Sequence, residues 1–213
     1  MGHLATKAIS RTKLRRANRL ASLGMTLSLL LAPVGARSDF SDGVAAYKAG
    51  DFMRAAIEFQ IAAEKGDALA QLNLGLLYDT GQGVEQSYEE AVGWYRKAAE
   101  KDLPLAQLNL GSMYFEGLGV KRDLASAASW YRRAAFGGLA GAQYNLSVMY
   151  EDGLGVTPDL VEAYAWRRIA ARTTGTVPDE ELQALQAKLT PDQIEAGEEL
   201  IKTFDGSTQG ETE

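Results

Sequence analysis

The residues able to do covalent or metal chemistry are few, and their distribution excludes more than it suggests. The only histidine is His3 and there is no cysteine. A chain whose body lacks both cannot assemble a Ser/His/Asp triad, a thiolate nucleophile, a His/Cys zinc site or a disulfide. Glu89-Glu90 and Asp179-Glu180-Glu181 are adjacent carboxylates of the type used for acid/base work. Their place at the start of apolar periodic runs reads instead as first-turn charge on helices. Arg96, Arg132 and Arg168 recur as a possible basic ladder for an anion, but cations near helix C-termini offset the helix dipole. Gly81-x-Gly83 recurs at 117 and 153 with no lysine directly after the second glycine, which marks a turn rather than a phosphate cradle. No catalytic, cofactor-binding or metal site is predicted. A hydrolase built here would have to work with carboxylates, serines or lysines alone.

These residues recur because the chain repeats. Trp94, Trp130 and Trp166 fall at an interval of 36, in phase with Ala70/106/142, Leu74/110/146, Tyr78/114/150 and Ala91/127/163. An earlier copy is truncated: Phe59, Ala62 and Ala63 keep the phase, but Tyr47 to Gly50 lies five residues too close. Within a copy, Ala70, Leu74 and Tyr78 make one stripe of a first helix, helix A, which Gly81 ends in the left-handed conformation. Ser87, Asp123 and Asp159 stand as N-caps of a second, helix B, with Ser87–Glu90 and Asp159–Glu162 spaced as capping boxes. Gln71, Asn73 and their counterparts are placed to hydrogen-bond between helices. Neither helix buries its stripe alone, so the copies stack.

The expected architecture is all-α, a right-handed solenoid of antiparallel helix pairs. It runs over 37–176, with a truncated unit at 41–68 and repeats at 69–104, 105–140 and 141–176. After Arg172 the period fails; 177–205 reads as C-terminal capping helices and 206–213 as a disordered tail. Before the repeats, six basic residues without an acid precede the apolar Leu20–Val34 and the small residues Gly35-Ala36. That pattern is a cleaved signal peptide over 1–36, too short to span a bilayer, so no stable membrane insertion is expected after cleavage. It places the mature chain in a bacterial periplasm or outside the cell; a mitochondrial import peptide is the alternative. Without this leader the remainder is strongly acidic, which disfavours nucleic acid as a partner.

Ala106-Gln107-Leu108-Asn109-Leu110-Gly111-Ser112-Met113-Tyr114-Phe115-Glu116-Gly117-Leu118-Gly119-Val120, followed by Asp123, Ala127, Trp130-Tyr131 and Ala134-Ala135, resembles the Sel-one-like repeat (SLR). That family is a relative of the tetratricopeptide repeat, and the resemblance covers about 41 to 172. The sequence departs from the pattern at Ser147, where 75 and 111 are glycine, at Ser87, where 123 and 159 are aspartate, and at Arg167, where 95 and 131 are tyrosine. The resemblance implies an adaptor or scaffold that gathers other proteins at bacterial envelopes or in the secretory pathway. One secreted branch, rich in cysteine, is connected with β-lactam binding or hydrolysis. A cell-wall or β-lactam-directed hydrolase is therefore the alternative function, and a passive structural subunit of an envelope or mitochondrial complex is another. By analogy with tetratricopeptide geometry, helix A supplies a concave binding face through Leu72, Leu76, Leu108, Phe115, Glu116, Tyr144, Val148 and Asp152. Its apolar character and acidic rim suit an apolar peptide or protein with basic flanks.

Overall fold

A computed structural model of the chain describes residues 38–174 and 179–209. The expected signal peptide at 1–36 lies outside them. Among the described residues there are ten helices and no strand. They are α1 (Ser38–Lys48), α2 (Phe52–Glu64), α3 (Ala68–Thr80), α4 (Tyr88–Ala99), α5 (Pro104–Glu116), α6 (Leu124–Phe136), α7 (Ala140–Asp152), α8 (Leu160–Thr174), α9 (Asp179–Gln186) and α10 (Pro191–Gln209). They form two compact units, 38–123 and 124–209. In the first, each of α1 to α4 packs against the next; in the second, α7 packs against α6 and α8, and α8 also carries α9 and α10. The fold class is an all-α solenoid of helix pairs, with helix A being α1, α3, α5 and α7 and helix B being α2, α4, α6 and α8.

The boundaries follow from local chemistry. Asp67 accepts from the amides of Leu69 and Ala70 at 2.9 and 3.0 Å to open α3, and Asp51 accepts from Arg54 at 3.1 Å to open α2. Gly81, Gly117 and Gly153 close the three full-length A helices at φ of 69, 75 and 64°. Only a residue without Cβ takes that conformation freely. At Ser87 the expected capping box is half made. Ser87 Oγ accepts from the amide of Glu90 at 3.2 Å, but the Ser87 amide donates to the carbonyl of Tyr78 at 3.0 Å, leaving nothing for the Glu90 carboxylate to accept. Asp159 repeats this with Tyr150, and Glu162 instead accepts from Trp166 Nε1 at 3.0 Å. A closed box occurs at Thr190, whose hydroxyl accepts from the Gln193 amide while Gln193 Oε1 accepts from the Thr190 amide.

Between consecutive pairs one side-chain bond recurs. Gln71, Gln107 and Gln143 donate through Nε2 to the carbonyls of Ala63, Ala99 and Ala135 at 3.0, 3.1 and 3.1 Å, tying each helix A to the helix B before it. The second glycine of each G-x-G turn docks on that same preceding helix B. A Cβ on Gly83, Gly119 or Gly155 would stand 2.2 Å from the first-residue backbone of α2, α4 or α6, at Phe52, Tyr88 and Leu124. The helix start cannot yield, because the contact is with main chain.

Each tryptophan face is covered, but not by the same group. Lys97 Nζ lies 3.5 Å over the Trp94 ring and Arg133 4.7 Å over Trp130. At Trp166 the third residue on is Ile169, and Phe204 of α10 stacks on the indole at 4.5 Å and 19°. Helix α10 also buries Ile201, sets Gly197 against Tyr164, and accepts the Tyr164 hydroxyl on Glu198 at 2.7 Å. It continues to Gln209, so 206–209 extend a helix where a disordered tail was expected, and 210–213 lie outside the described residues. A glycine inside a helix costs only about 1 kcal/mol, too little for Gly206 to end this one.

Candidate functional site

The eight residues expected on the binding face divide evenly. Leu72, Leu108, Phe115 and Val148 are buried, with 8, 5, 2 and 0 % of their surface exposed. Leu76, Glu116, Tyr144 and Asp152 are half-buried. The buried four are core residues and offer a partner nothing. The reason is packing: α3 lies between α2 and α4, and α7 between α6 and α8, so helix A needs apolar residues on more than one face.

Tyr144 is not open either. Its hydroxyl donates to Glu181 of α9 at 2.6 Å, and the Arg167 guanidinium lies 5.3 Å from its ring centre. Burial, joined by the Glu181 carboxylate it serves, pushes the phenol well above its ordinary value. One helix turn pair further along α7, Glu151 accepts from Arg167 at 2.9 Å and from Lys188 at 2.7 Å. The C-terminal cap thus occupies the helix-A face of the last repeat. No local pattern in the sequence announces this, since Glu181 of α9 and Lys188 of the turn after it each reach back 37 residues. The signal that was available is the paired departure at 147 and 167, which marks the last repeat as different.

The arginine ladder is accounted for within the protein. Arg96 donates to the Tyr114 hydroxyl at 3.0 Å, Arg132 donates to the Tyr150 hydroxyl, and Arg168 pairs with Glu198 at 3.2 Å. Two carboxyls are held above their usual range. Asp79 is raised by burial, opposed by the Tyr95 hydroxyl that donates to it at 3.1 Å; Glu162 is raised by burial, opposed by the Trp166 indole. These two are engaged with their own repeat's aromatic residue rather than with each other. Among the described residues no group of three His, Cys, Asp or Glu side chains is arranged to hold a metal ion.

What α3, α5 and α7 carry of their own is charge of one sign, of which Glu151 is already paired with Arg167 and Lys188. Helices α3, α5 and α7 carry no lysine or arginine; their ionised side chains are Asp79, Glu116, Glu151 and Asp152, all in the last turn. Acidic residues there oppose the helix dipole, so they add negative potential where carbonyls already supply it.

The Sel1 repeat family matches residues 68–103, 104–138 and 140–172, each an A–B helix pair. The chain is a Sel1 repeat protein. Among solved structures, this Sel1 repeat protein is similar to a Sel1 repeat protein from Oxalobacter formigenes, at 35 % identity and TM-score 0.61 over 63 % of this chain and 55 % of that one. It is also similar to c5321, a protective antigen present in uropathogenic Escherichia coli strains displaying an SLR fold, at 39 % identity and TM-score 0.63 over 76 % of this chain and 33 % of that one. The chain therefore spans about half and one third of the length of these two. No curated protein matches it in sequence. Sel1 repeat proteins mediate protein–protein interaction and are typically non-catalytic scaffolds.

Proposed function

We propose that this Sel1 repeat protein is an adaptor or scaffold of the bacterial envelope that binds a protein partner through its helix-A surface. One observation carries the reading: A helices α3, α5 and α7 bear only acidic ionised side chains, each in the last turn of its own helix, and α3 presents the half-buried apolar Leu76 beside Asp79. That combination selects an apolar segment with basic flanks. In the first unit the face is Leu76 and Glu116, with Asp79; in the second the cap holds Tyr144 and Glu151, leaving Asp152. The basic, acid-free leader and its apolar Leu20–Val34 support export to the periplasm or beyond. Among the described residues no helix is long and apolar enough to cross a membrane.

Crosslinking capture from envelope extract tests the adaptor role, with the parent chain beside a Leu76→Asp, Glu116→Arg variant of unchanged circular dichroism. A partner held by the parent and lost by the variant supports the reading. The same proteins captured by both remove the helix-A surface from it. A chromogenic β-lactam incubated with the purified protein is expected to remain intact, and turnover would replace the adaptor with a hydrolase.

A further inference from the structure

Helix B occurs four times, so one face of it can be compared with itself. Met53, Ile57 and Ile61 of α2 correspond to Glu89, Gly93 and Lys97 on α4, to Ala125, Ser129 and Arg133 on α6, and to Val161, Ala165 and Ile169 on α8. On α4 and α6 this row is polar or small and faces water. On α8 it is apolar and a helix is packed there: α10 sets Gly197 against Tyr164 and the Val161 backbone, Phe204 shares a hollow with Ile169, and Ala165 and Ile169 are buried. On α2 the row is again apolar, yet Met53, Ile57 and Ile61 are 68, 56 and 40 % exposed. Single exposed apolar residues are ordinary, but three at i, i+4 and i+8 form a continuous stripe of the kind that meets another helix.

We propose that the stripe is the contact of a symmetric dimer, α2 of one copy packing antiparallel on α2 of a second. The stripe is centred on Ile57, with Met53 and Ile61 four residues to either side. A two-fold axis at Ile57 therefore sets Met53 against the partner's Ile61 and Ile57 against the partner's Ile57, as an isologous interface requires. The flanking charges fit the same axis. Arg54 lies three residues before Ile57 and Glu58 one residue after, so the two-fold brings Arg54 to within about 3 Å, along the helix axis, of the partner's Glu58. Within one chain this pair is loose, at 3.9 Å with Arg54 largely exposed, and is free to exchange. The stripe is three side chains along only about 12 Å of helix, so the area it can bury falls well short of the roughly 800 Å² per partner of a standard interface. The dimer is therefore weak and concentration-dependent.

Sedimentation velocity of the protein purified as the cell makes it, from about 1 µM to about 500 µM, is the test. The sedimentation coefficient rises with concentration toward that of a dimer, and Ile57→Glu, at an exposed site, abolishes the rise without changing circular dichroism or Tm. Arg54→Glu and Glu58→Arg each weaken the dimer about tenfold by opposing like charges, and the double exchange restores it. A monomer at every concentration overturns the proposal, and is the result expected if residues 1–37 or a different protein hold the stripe. A dimer indifferent to Ile57→Glu, or charge variants without rescue, overturns it as well.

Discussion

Arg167 Nη2 donates to Glu151 Oε2 at 2.9 Å in the position where, two repeats earlier, Tyr95 donates its hydroxyl to Asp79 at 3.1 Å. The exchange of a phenol for a guanidinium goes with a second one. A Cβ at Gly75 would stand 2.7 Å from the Tyr95 ring, so an aromatic residue there requires glycine opposite; facing Arg167 the position is Ser147, whose hydroxyl donates to the Ala163 carbonyl at 2.7 Å. Arg167 is 1 % exposed and its charge is matched by a carboxylate that Lys188 also serves.

Arg167→Ala is accordingly expected to destabilise the protein by about 3–5 kcal/mol, because Glu151 loses its buried counter-charge. Arg167→Tyr alone sets a ring against the Ser147 side chain and costs about 3 kcal/mol. Arg167→Tyr with Ser147→Gly recreates the arrangement at 75 and 95 and recovers most of that. It also removes the buried Arg167 Nε, which has no acceptor among the described residues. Urea unfolding of the four members of this cycle measures the coupling, expected to reach about 2 kcal/mol.

Two glycine substitutions are expected to move stability in opposite directions. Gly119→Ala places a methyl 2.2 Å from the Tyr88 main chain at a φ of 63°, and both the clash and the left-handed backbone count against it, by about 3 kcal/mol or more. Gly93 sits inside α4 with open space where its Cβ would be. Gly93→Ala restricts the unfolded chain and stabilises by about 0.5–1 kcal/mol. The urea midpoints of the two variants should therefore bracket that of the parent.

The carboxyl of Asp79 titrates above its ordinary range because burial disfavours its charged form. The folded state thus binds the proton more tightly than the unfolded state. The stabilisation this gives is complete below the unfolded carboxyl's pKa and is lost as pH rises through the folded one, so at neutral pH ionised Asp79 opposes folding. Asp79→Asn keeps an acceptor for Tyr95 and removes the charge. Its Tm is expected above the parent's at pH 7, with the gap closing as pH falls into the carboxylate range. A gap that widens on acidification would show that the ionised form is the one the fold favours.

Much of the fold was legible because its determinants are local and recur. The glycines at 81, 117 and 153 and the N-caps at Ser87 and Asp159 set helix ends that the structure reproduces. Where reading failed, the missing information was non-local. Ser87 and Glu90 have capping-box spacing, but the amide they would share goes to the Tyr78 carbonyl of the preceding helix. Leu72, Leu108, Phe115 and Val148 look like a second apolar face, and only the packing of helices on both sides of helix A shows that they are core. That α9 covers Tyr144 depends on a chain reversal that periodicity cannot encode, since the period has ended by then.

The glycine docking at Phe52, Tyr88 and Leu124 works as a ruler laid along the polypeptide. From the first residue of one helix B to the glycine that rests on it the chain counts 31 residues each time: 52 to 83, 88 to 119, 124 to 155. The five residues missing from the first copy fall before Phe52, outside any such interval, and the ruler does not register their loss. The same reckoning predicts where this lineage is able to vary in length. Insertions within an interval break a main-chain contact, whereas 84–87, 120–123 and 156–159 lie between intervals and only lengthen a turn. Growth by duplication has to keep each 31-residue interval whole, because a change of length inside one would bring a residue other than glycine onto that helix.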